Sequence, residues 1–262
     1  MDYGLAGNTA LVAASTSGLG KASAKALARE GADVVINGRD EDQLDAAVTD
    51  VQRVGEGDVL GVQGDLTDAG AVERLVDRTV AHFGGIDHLV TNAGGPPSGS
   101  FLETEDDDWY DAFDLLVMSV VRLVREAAPH LRDGGGTVVT ITSRSVKEAI
   151  PSLVLSNSVR MSVIGLEKTL SKELAPEVRS NAVLPAPHET DRQRDLIQAA
   201  VDRGEYDSYE EGLEAKGEIN PLGRIGDPAE LGDVVAYLSS ERSSFVNGVA
   251  IPVDGGQGAA NL

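Results

Sequence analysis

The run Ala10-Leu11-Val12-Ala13-Ala14-Ser15-Thr16-Ser17-Gly18-Leu19-Gly20 joins a short apolar stretch, Ala10 to Ala14, to a segment of helical periodicity, Gly18 to Glu30. The first predicts a buried strand and the second a helix. Glycines at such a strand-to-helix turn let the backbone come close to a phosphate, and the helix N-terminus that follows favours negative charge. Taken alone, the Gly18-x-Gly20 pair serves a tight turn as well as a phosphate.

The same alternation continues outward. Strands are predicted at Asp33 to Asn37, Val59 to Gln63, His88 to Thr91, Thr137 to Thr142, Asn181 to Leu184 and Val249 to Val253. Helices are predicted at Glu41 to Val54, Ala69 to Phe83, Trp109 to His130, Ser156 to Leu174 and Pro228 to Leu238. Short apolar strands alternating with helices mean βαβ units: a Rossmann-type, doubly wound parallel sheet in a three-layer α/β/α arrangement. No Pro/Gly/Ser-rich linker divides the chain, so residues 1–262 read as a single domain. The one long interruption, Asp191 to Gly217, reads as an irregular acidic stretch inside a substrate lid at about 186–219, as unusually long loops often are.

Composition narrows the function classes. The 262 residues are long enough for one sizeable core. With no cysteine there is no thiolate zinc site, no disulfide and no cysteine nucleophile, and no metal site is expected. The formal net charge of −21 repels duplex nucleic acid and anionic membranes, so neither is expected as a partner. Met1 to Asn8 shows no basic segment followed by an apolar one, and no apolar run approaches the ~18 residues of a membrane span, so a cytoplasmic protein is expected. The acidic excess is read as adaptation to a high-salt cytoplasm, where a Debye length of about 3 Å at 1 M salt damps self-repulsion.

Further motifs follow in order: Asn37-Gly38-Arg39 at the end of the second strand, Gly64-Asp65-Leu66 after the third, Thr91-Asn92-Ala93-Gly94 after the fourth, then Pro185-Ala186 with Thr190, and the ending Asn247-Gly248 to Val253-Asp254-Gly255-Gly256. From about Leu5 to Gly256 the chain resembles the short-chain dehydrogenase/reductase family, and within it proteins named 3-oxoacyl-(acyl-carrier-protein) reductases. The resemblance implies that Ala14, Ser15, Ser17, Gly18, Leu19 and Gly20 form the cofactor turn, with Ala13-Ala14 replacing the family's Thr-Gly. It implies that Asp65 and Leu66 meet the adenine, that Asn92, Ala93 and Gly94 line the cofactor cleft, and that Pro185 and Thr190 meet the nicotinamide. Gly38 stands where NAD users commonly place a ribose-binding acid, and Arg39 follows it. A guanidinium matches a 2′-phosphate, so NADP(H) is the expected cofactor, with NAD(H) as the alternative and Asp40 as a counter-signal.

The family's catalytic serine maps to Ser143. Counting on without a gap, its tyrosine position is Ser156 and its lysine position is Arg160; its asparagine position on the preceding long helix is Leu116. A phenol near pKa 10 acidified by a lysine is thereby lost, and a serine hydroxyl is a far weaker acid. Losing a positioned general acid typically costs about 10²–10⁴-fold. Ser156 and Arg160, at i and i+4, share one helix face. Arg160 is expected to hold the ribose or to stabilise an oxyanion, but not to shuttle a proton. His188, in the lid, is a lone alternative donor.

Three functions remain open: an NADP(H)-dependent oxidoreductase acting on a carbonyl or hydroxyl compound, 3-oxoacyl-like in the resemblance; an NADP(H)-binding protein with little chemistry; and a lyase resembling the halohydrin dehalogenases, which also carry Arg at the lysine position. The expected partners are a small-molecule substrate and further copies of the chain, as a homotetramer or homodimer built on the helices around Trp109 to His130 and Ser156 to Leu174 and on the last strand.

Overall fold

The structure, a computed structural model, describes residues 2–260; Met1, Asn261 and Leu262, the extreme ends of the expected domain, lie outside it. Seven parallel strands form one sheet: β1 (Thr9–Val12), β2 (Asp33–Gly38), β3 (Val59–Gln63), β4 (His88–Thr91), β5 (Gly136–Ile141), β6 (Val178–Pro185) and β7 (Ala250–Val253). Their order is β3-β2-β1-β4-β5-β6-β7. The sequence runs outward one way from β1 and then restarts at β4 on its other side, so a crevice opens where the order reverses, at the C-terminal ends of β1 and β4.

Helices cover both faces. On one side pack α1 (Gly18–Arg29), α2 (Glu41–Gln52) and α9 (Pro228–Ser239), through Leu27, Leu44, Leu231 and Val235. On the other pack α3 (Ala69–Phe83), α4 (Asp106–Phe113), α5 (Ser119–Leu131) and α6 (Val154–Glu173), through Leu75, Leu123, Leu155 and Val163. The strands between them are apolar on both faces, with Leu11, Val35 and Leu89 in one core and Val12, Ile36 and Val90 in the other, as a doubly covered parallel sheet requires. No described helix is long and apolar enough to cross a membrane.

Two elements depart from the sequence expectation. The helix expected over Trp109 to His130 starts at Asp106 and is interrupted by a π turn at Asp114–Met118. The periodicity of this stretch is nearly helical throughout, so the sequence pattern does not reveal one extra residue in a turn. The stretch Asp191 to Gly217 is not irregular. It forms α7 (Asp191–Asp202), capped by Thr190 through Gln193 N–H, and α8 (Tyr209–Glu218), capped by Ser208 through Glu211 N–H. These helices bury few side chains, Ile197 and Ala200 in α7, so their apolar stripe is too thin to stand out against the surrounding charges.

Candidate active site

The crevice is a cleft of about 1080 Å³ that runs from Arg39, past the start of α1, to Ser143 and Arg160. Its central part is built by the turn between β1 and α1. Ala14 lies in the left-handed region, at φ 46°, where glycine is the residue without steric penalty. Its N–H donates to Asn37 Oδ1 at 3.2 Å, and its carbonyl accepts from Asn92 Nδ2 at 3.0 Å. Asn37, to which the motif Asn37-Gly38-Arg39 assigned no role of its own, also donates to the carbonyls of Val62 and Gly64 and so ties the ends of β1, β2 and β3 together. Gly20 has a packing reason: a Cβ there would lie 2.5 Å from the Ala14 carbonyl oxygen and 2.7 Å from Asn92 Nδ2.

The residues expected at this turn divide. Ala14, Ser17, Gly18 and Leu19 line the cleft, together with Thr16. Ser15 and Gly20 do not. Ser15 is fully buried; its hydroxyl donates to the Val12 carbonyl and accepts from Asn37 N–H, and its own N–H donates to the Asn37 carbonyl. Both of its polar groups are therefore spent on the fold. The first turn of α1 has no side-chain cap from Ser17 and no acidic residue, and Ser17, Gly18 and Leu19 at its start line the cleft.

At one end, Gly38 is held against Thr16: a Cβ at 38 would come 2.2 Å from Thr16 Cγ2. An acidic side chain cannot enter here unless Thr16 moves. The Arg39 side chain is 79 % exposed, with Nη1 3.8 Å from Asp65 Oδ2. Asp40 caps α2 by accepting from Gln43 N–H at 2.9 Å, which occupies the carboxylate that stood as the counter-signal. Asp65 accepts from the Thr67 N–H and hydroxyl, and these hydrogen bonds, the N–H foremost, hold its carboxyl below the usual range. Leu66, Asn92, Ala93 and Gly94 continue the wall.

At the other end, β5 delivers Ser143, whose hydroxyl accepts from Ser145 N–H at 3.1 Å and starts a short 3₁₀ turn at Arg144–Val146. Ser156, one turn into α6, is buried and shares a hydrogen bond of 3.1 Å with the Ser145 hydroxyl. Asn157 grips both backbone groups of Ile150 and so fixes the loop that leads into α6. Arg160, on the same face of α6 as Ser156, lines the cleft and is 9 % exposed. Its Nε has no hydrogen-bond partner. Burial, with the nearby Arg192 charge adding to it, pushes its pKa down to about 10, so it stays a cation at neutral pH.

Leu116 is buried in the core at the π turn and does not line the cleft; Leu115 does. π turns occur frequently at functional sites. Pro185 and Thr190 line the cleft beside the lid. His188 lines it too, but its ring is buried, with Nδ1 2.7 Å from the Ala186 carbonyl and the Gly226 backbone packed against it. Burial lowers its pKa, which leaves a neutral ring that joins the lid to the strand bridge His188–Gly226. No tyrosine lines the cleft among the described residues. Two arginines passed over in the sequence, Arg144 and Arg192, do line it, and Arg192 donates to the Gly95 and Pro96 carbonyls, at 3.0 Å each. Arg144 adjoins Ser143 in the chain and could have been found by that adjacency; nothing local marks Arg192.

The chain is similar to known proteins over nearly its whole length. A family model described as enoyl-(acyl carrier protein) reductase matches residues 13–257. Dehydrogenase/reductase SDR family member 4 of Homo sapiens is 34 % identical over 258 residues, covering 96 % of this chain and 88 % of that protein. L-sorbose reductase from Gluconobacter frateurii, solved with NADPH and L-sorbose, superposes with a TM-score of 0.93 at 30 % identity, covering 99 % of this chain and 100 % of that one. An actinorhodin polyketide ketoreductase variant, solved with NADPH, superposes with a TM-score of 0.91 at 30 % identity, covering 97 % and 98 % of the two chains.

Proposed function

Because the chain belongs to the short-chain dehydrogenase/reductase family, we propose that it is an NADP(H)-dependent oxidoreductase acting on a carbonyl or hydroxyl compound through a site without a catalytic phenol. The observation that carries this reading is the cleft itself: one continuous groove with an uncapped helix N-terminus at its centre, an exposed arginine at one end and buried serine and arginine side chains at the other.

The residues present fit such a cofactor. The N–H groups at the start of α1, with Thr16 and Ser17, would meet the pyrophosphate; Arg39 would meet the 2′-phosphate, and Asp65 with Leu66 the adenine. Asn92, Ala93, Gly94, Pro185 and Thr190 would surround the nicotinamide end. The family's NADPH-bound structural relatives support the same choice. When bound, NADP(H) supplies or accepts a hydride. The chain's own part is to orient the substrate oxygen through the Ser143 and Ser156 hydroxyls and to lend the reacting end the fixed positive charge of Arg160. The guanidinium holds its protons, so the proton for the substrate oxygen comes through water at the serine hydroxyls. Turnover is accordingly expected to be about 10²–10⁴-fold slower than with a phenol in place.

A second reading, a cofactor-binding protein with little turnover, is favoured by the lack of any tyrosine on the described cleft wall. One titration series separates the two. NADPH binding followed by oxidation on a panel of carbonyls supports the first; tight binding with no oxidation supports the second; absent NADPH binding refutes both.

We further propose that the chain works as a homotetramer or homodimer in a high-salt cytoplasm. Exposed Tyr110, Phe113 and Met161 on α4 and α6, and exposed Phe245 and Val249 beside β7, offer the two apolar faces, and the net charge of −21 supports the salt requirement. Light scattering gives the copy number. A melt across a salt series gives the second point, and full stability in dilute buffer would refute it.

A further inference from the structure

Three guanidinium groups, those of Arg144, Arg160 and Arg192, gather at the reactive end of the cleft in a chain whose net charge is −21. Arg160 is nine-tenths buried and its Nε is unpartnered. No carboxylate among the described residues pairs with Arg160 or with Arg192. Arg144 pairs with Glu148 at 3.3 Å through Nη1, while its own Nε is buried and unpartnered as well. A buried cation without a counter-ion is strongly unfavourable, and Arg192 adds repulsion rather than relief.

The cofactor would not resolve this imbalance. On the reading above its phosphates would meet the start of α1 and Arg39, and its ribose hydroxyls carry no charge. A planar guanidinium is the donor that matches a carboxylate in a bidentate way. Ser143 and Ser156 line the same cleft and would serve a neighbouring oxygen.

Resting on the oxidoreductase reading, we propose that the substrate is a small carboxylic acid carrying the reacting carbonyl or hydroxyl, with its carboxylate held by Arg160 together with Arg144. The loss of the lysine then has a counterpart: the position that supported a proton relay now binds an anion.

Calorimetric titration of malonate and of its neutral diamide, malonamide, tests this in moderate salt, with and without saturating NADPH. Malonate is expected to bind the wild type at least tenfold more tightly than malonamide. Arg160→Gln should abolish that preference, Arg160→Lys should keep part of it, and NADPH affinity should change less than threefold in both. Equal binding of malonate and malonamide to the wild type overturns the proposal without needing any variant. So does an Arg160→Gln protein that keeps the malonate preference but loses NADPH affinity, because Arg160 would then serve the cofactor. Inorganic phosphate bound as tightly as malonate overturns the carboxylate assignment. Failure to bind NADPH strikes the oxidoreductase reading instead, and the cofactor-free malonate arm still decides the present one.

Discussion

Replacing Arg39 with alanine removes the one guanidinium at the far end of the cleft, and its consequence can be sized from the structure. A charge-assisted hydrogen bond is worth about 1.5–3 kcal/mol. Arg39 sits at the exposed extreme, 79 % open to solvent, and already shares its charge with Asp65 at 3.8 Å, so the low end applies. About 1.5 kcal/mol is about tenfold in Kd. The Arg39→Ala protein should bind NADPH about tenfold more weakly and NADH within about twofold of the wild type, which itself should prefer NADPH by at least tenfold. Fluorescence titration of both cofactors measures this. Because the contact is exposed, the preference should shrink between 0.1 and 1 M salt, where the Debye length falls from about 10 to 3 Å. The reverse change is blocked in a defined way. Gly38→Asp alone should destabilise the protein, since its Cβ meets Thr16 Cγ2 at 2.2 Å, whereas Gly38→Asp with Thr16→Ala should admit the acid and raise NADH affinity. Equal wild-type affinities for the two cofactors, or an NADPH preference that survives Arg39→Ala, would refute the assignment of Arg39.

Other substitutions probe separate parts of the account. Glu167, buried between the Thr140 and Ser180 hydroxyls that donate to it, has its pKa raised by burial from 4.5 to about 7. The folded state therefore holds its proton more tightly than the unfolded chain, so stability present below pH 4.5 is lost as pH rises through about 7, by about 3 kcal/mol at ~1.4 kcal/mol per unit. Urea midpoints of wild type and Glu167→Gln, whose neutral amide mimics the protonated acid, should lie close at the acidic end and diverge as pH rises, the wild type falling behind by this loss; parallel curves would contradict it. Ala14→Gly relieves a left-handed alanine, worth about 1–2 kcal/mol, against an entropy penalty of about 0.4–1 kcal/mol. A net gain of about 0.5–1 kcal/mol in urea unfolding is expected, and a loss would mean the turn is not strained there. Ser156→Tyr combined with Arg160→Lys should raise the reduction of neutral ketones by about 10–100-fold, less than the full general-acid contribution because Leu116 still stands at the asparagine position. A folded, NADPH-binding double variant with no gain would refute the mapping of these two positions.

The layered fold was legible because each strand is a short apolar run and each major helix carries a broad apolar stripe: the consecutive pairs Leu11-Val12, Val35-Ile36 and Leu89-Val90 could only be buried in a sheet covered on both faces. The lid helices were not legible, because Ile197 and Ala200 are too few against the charges around them. Ser15 shows the limit of motif spacing. It sits inside the turn with the right chemistry, yet Asn37 and Val12 consume its hydrogen bonds. Spacing located Ser143, Ser156 and Arg160 at the cleft, but it could not show that Arg160 is buried without a counter-ion, since that depends on what α6 packs against. Arg192 reaches the same end from the lid, a contact made across the fold to Gly95 and Pro96.

The most direct test of the oxidoreductase reading is the fate of the transferable hydrogen. NADPH carrying deuterium at the nicotinamide C4 is incubated without oxygen with the protein and a panel of small oxo acids and neutral ketones, and products are analysed by mass spectrometry. The expected result is deuterium on the new carbinol carbon of at least one product, formed at least tenfold more slowly by Ser143→Ala. NADPH that binds in the cleft, yet passes no deuterium to any carbonyl of the panel, would contradict the account.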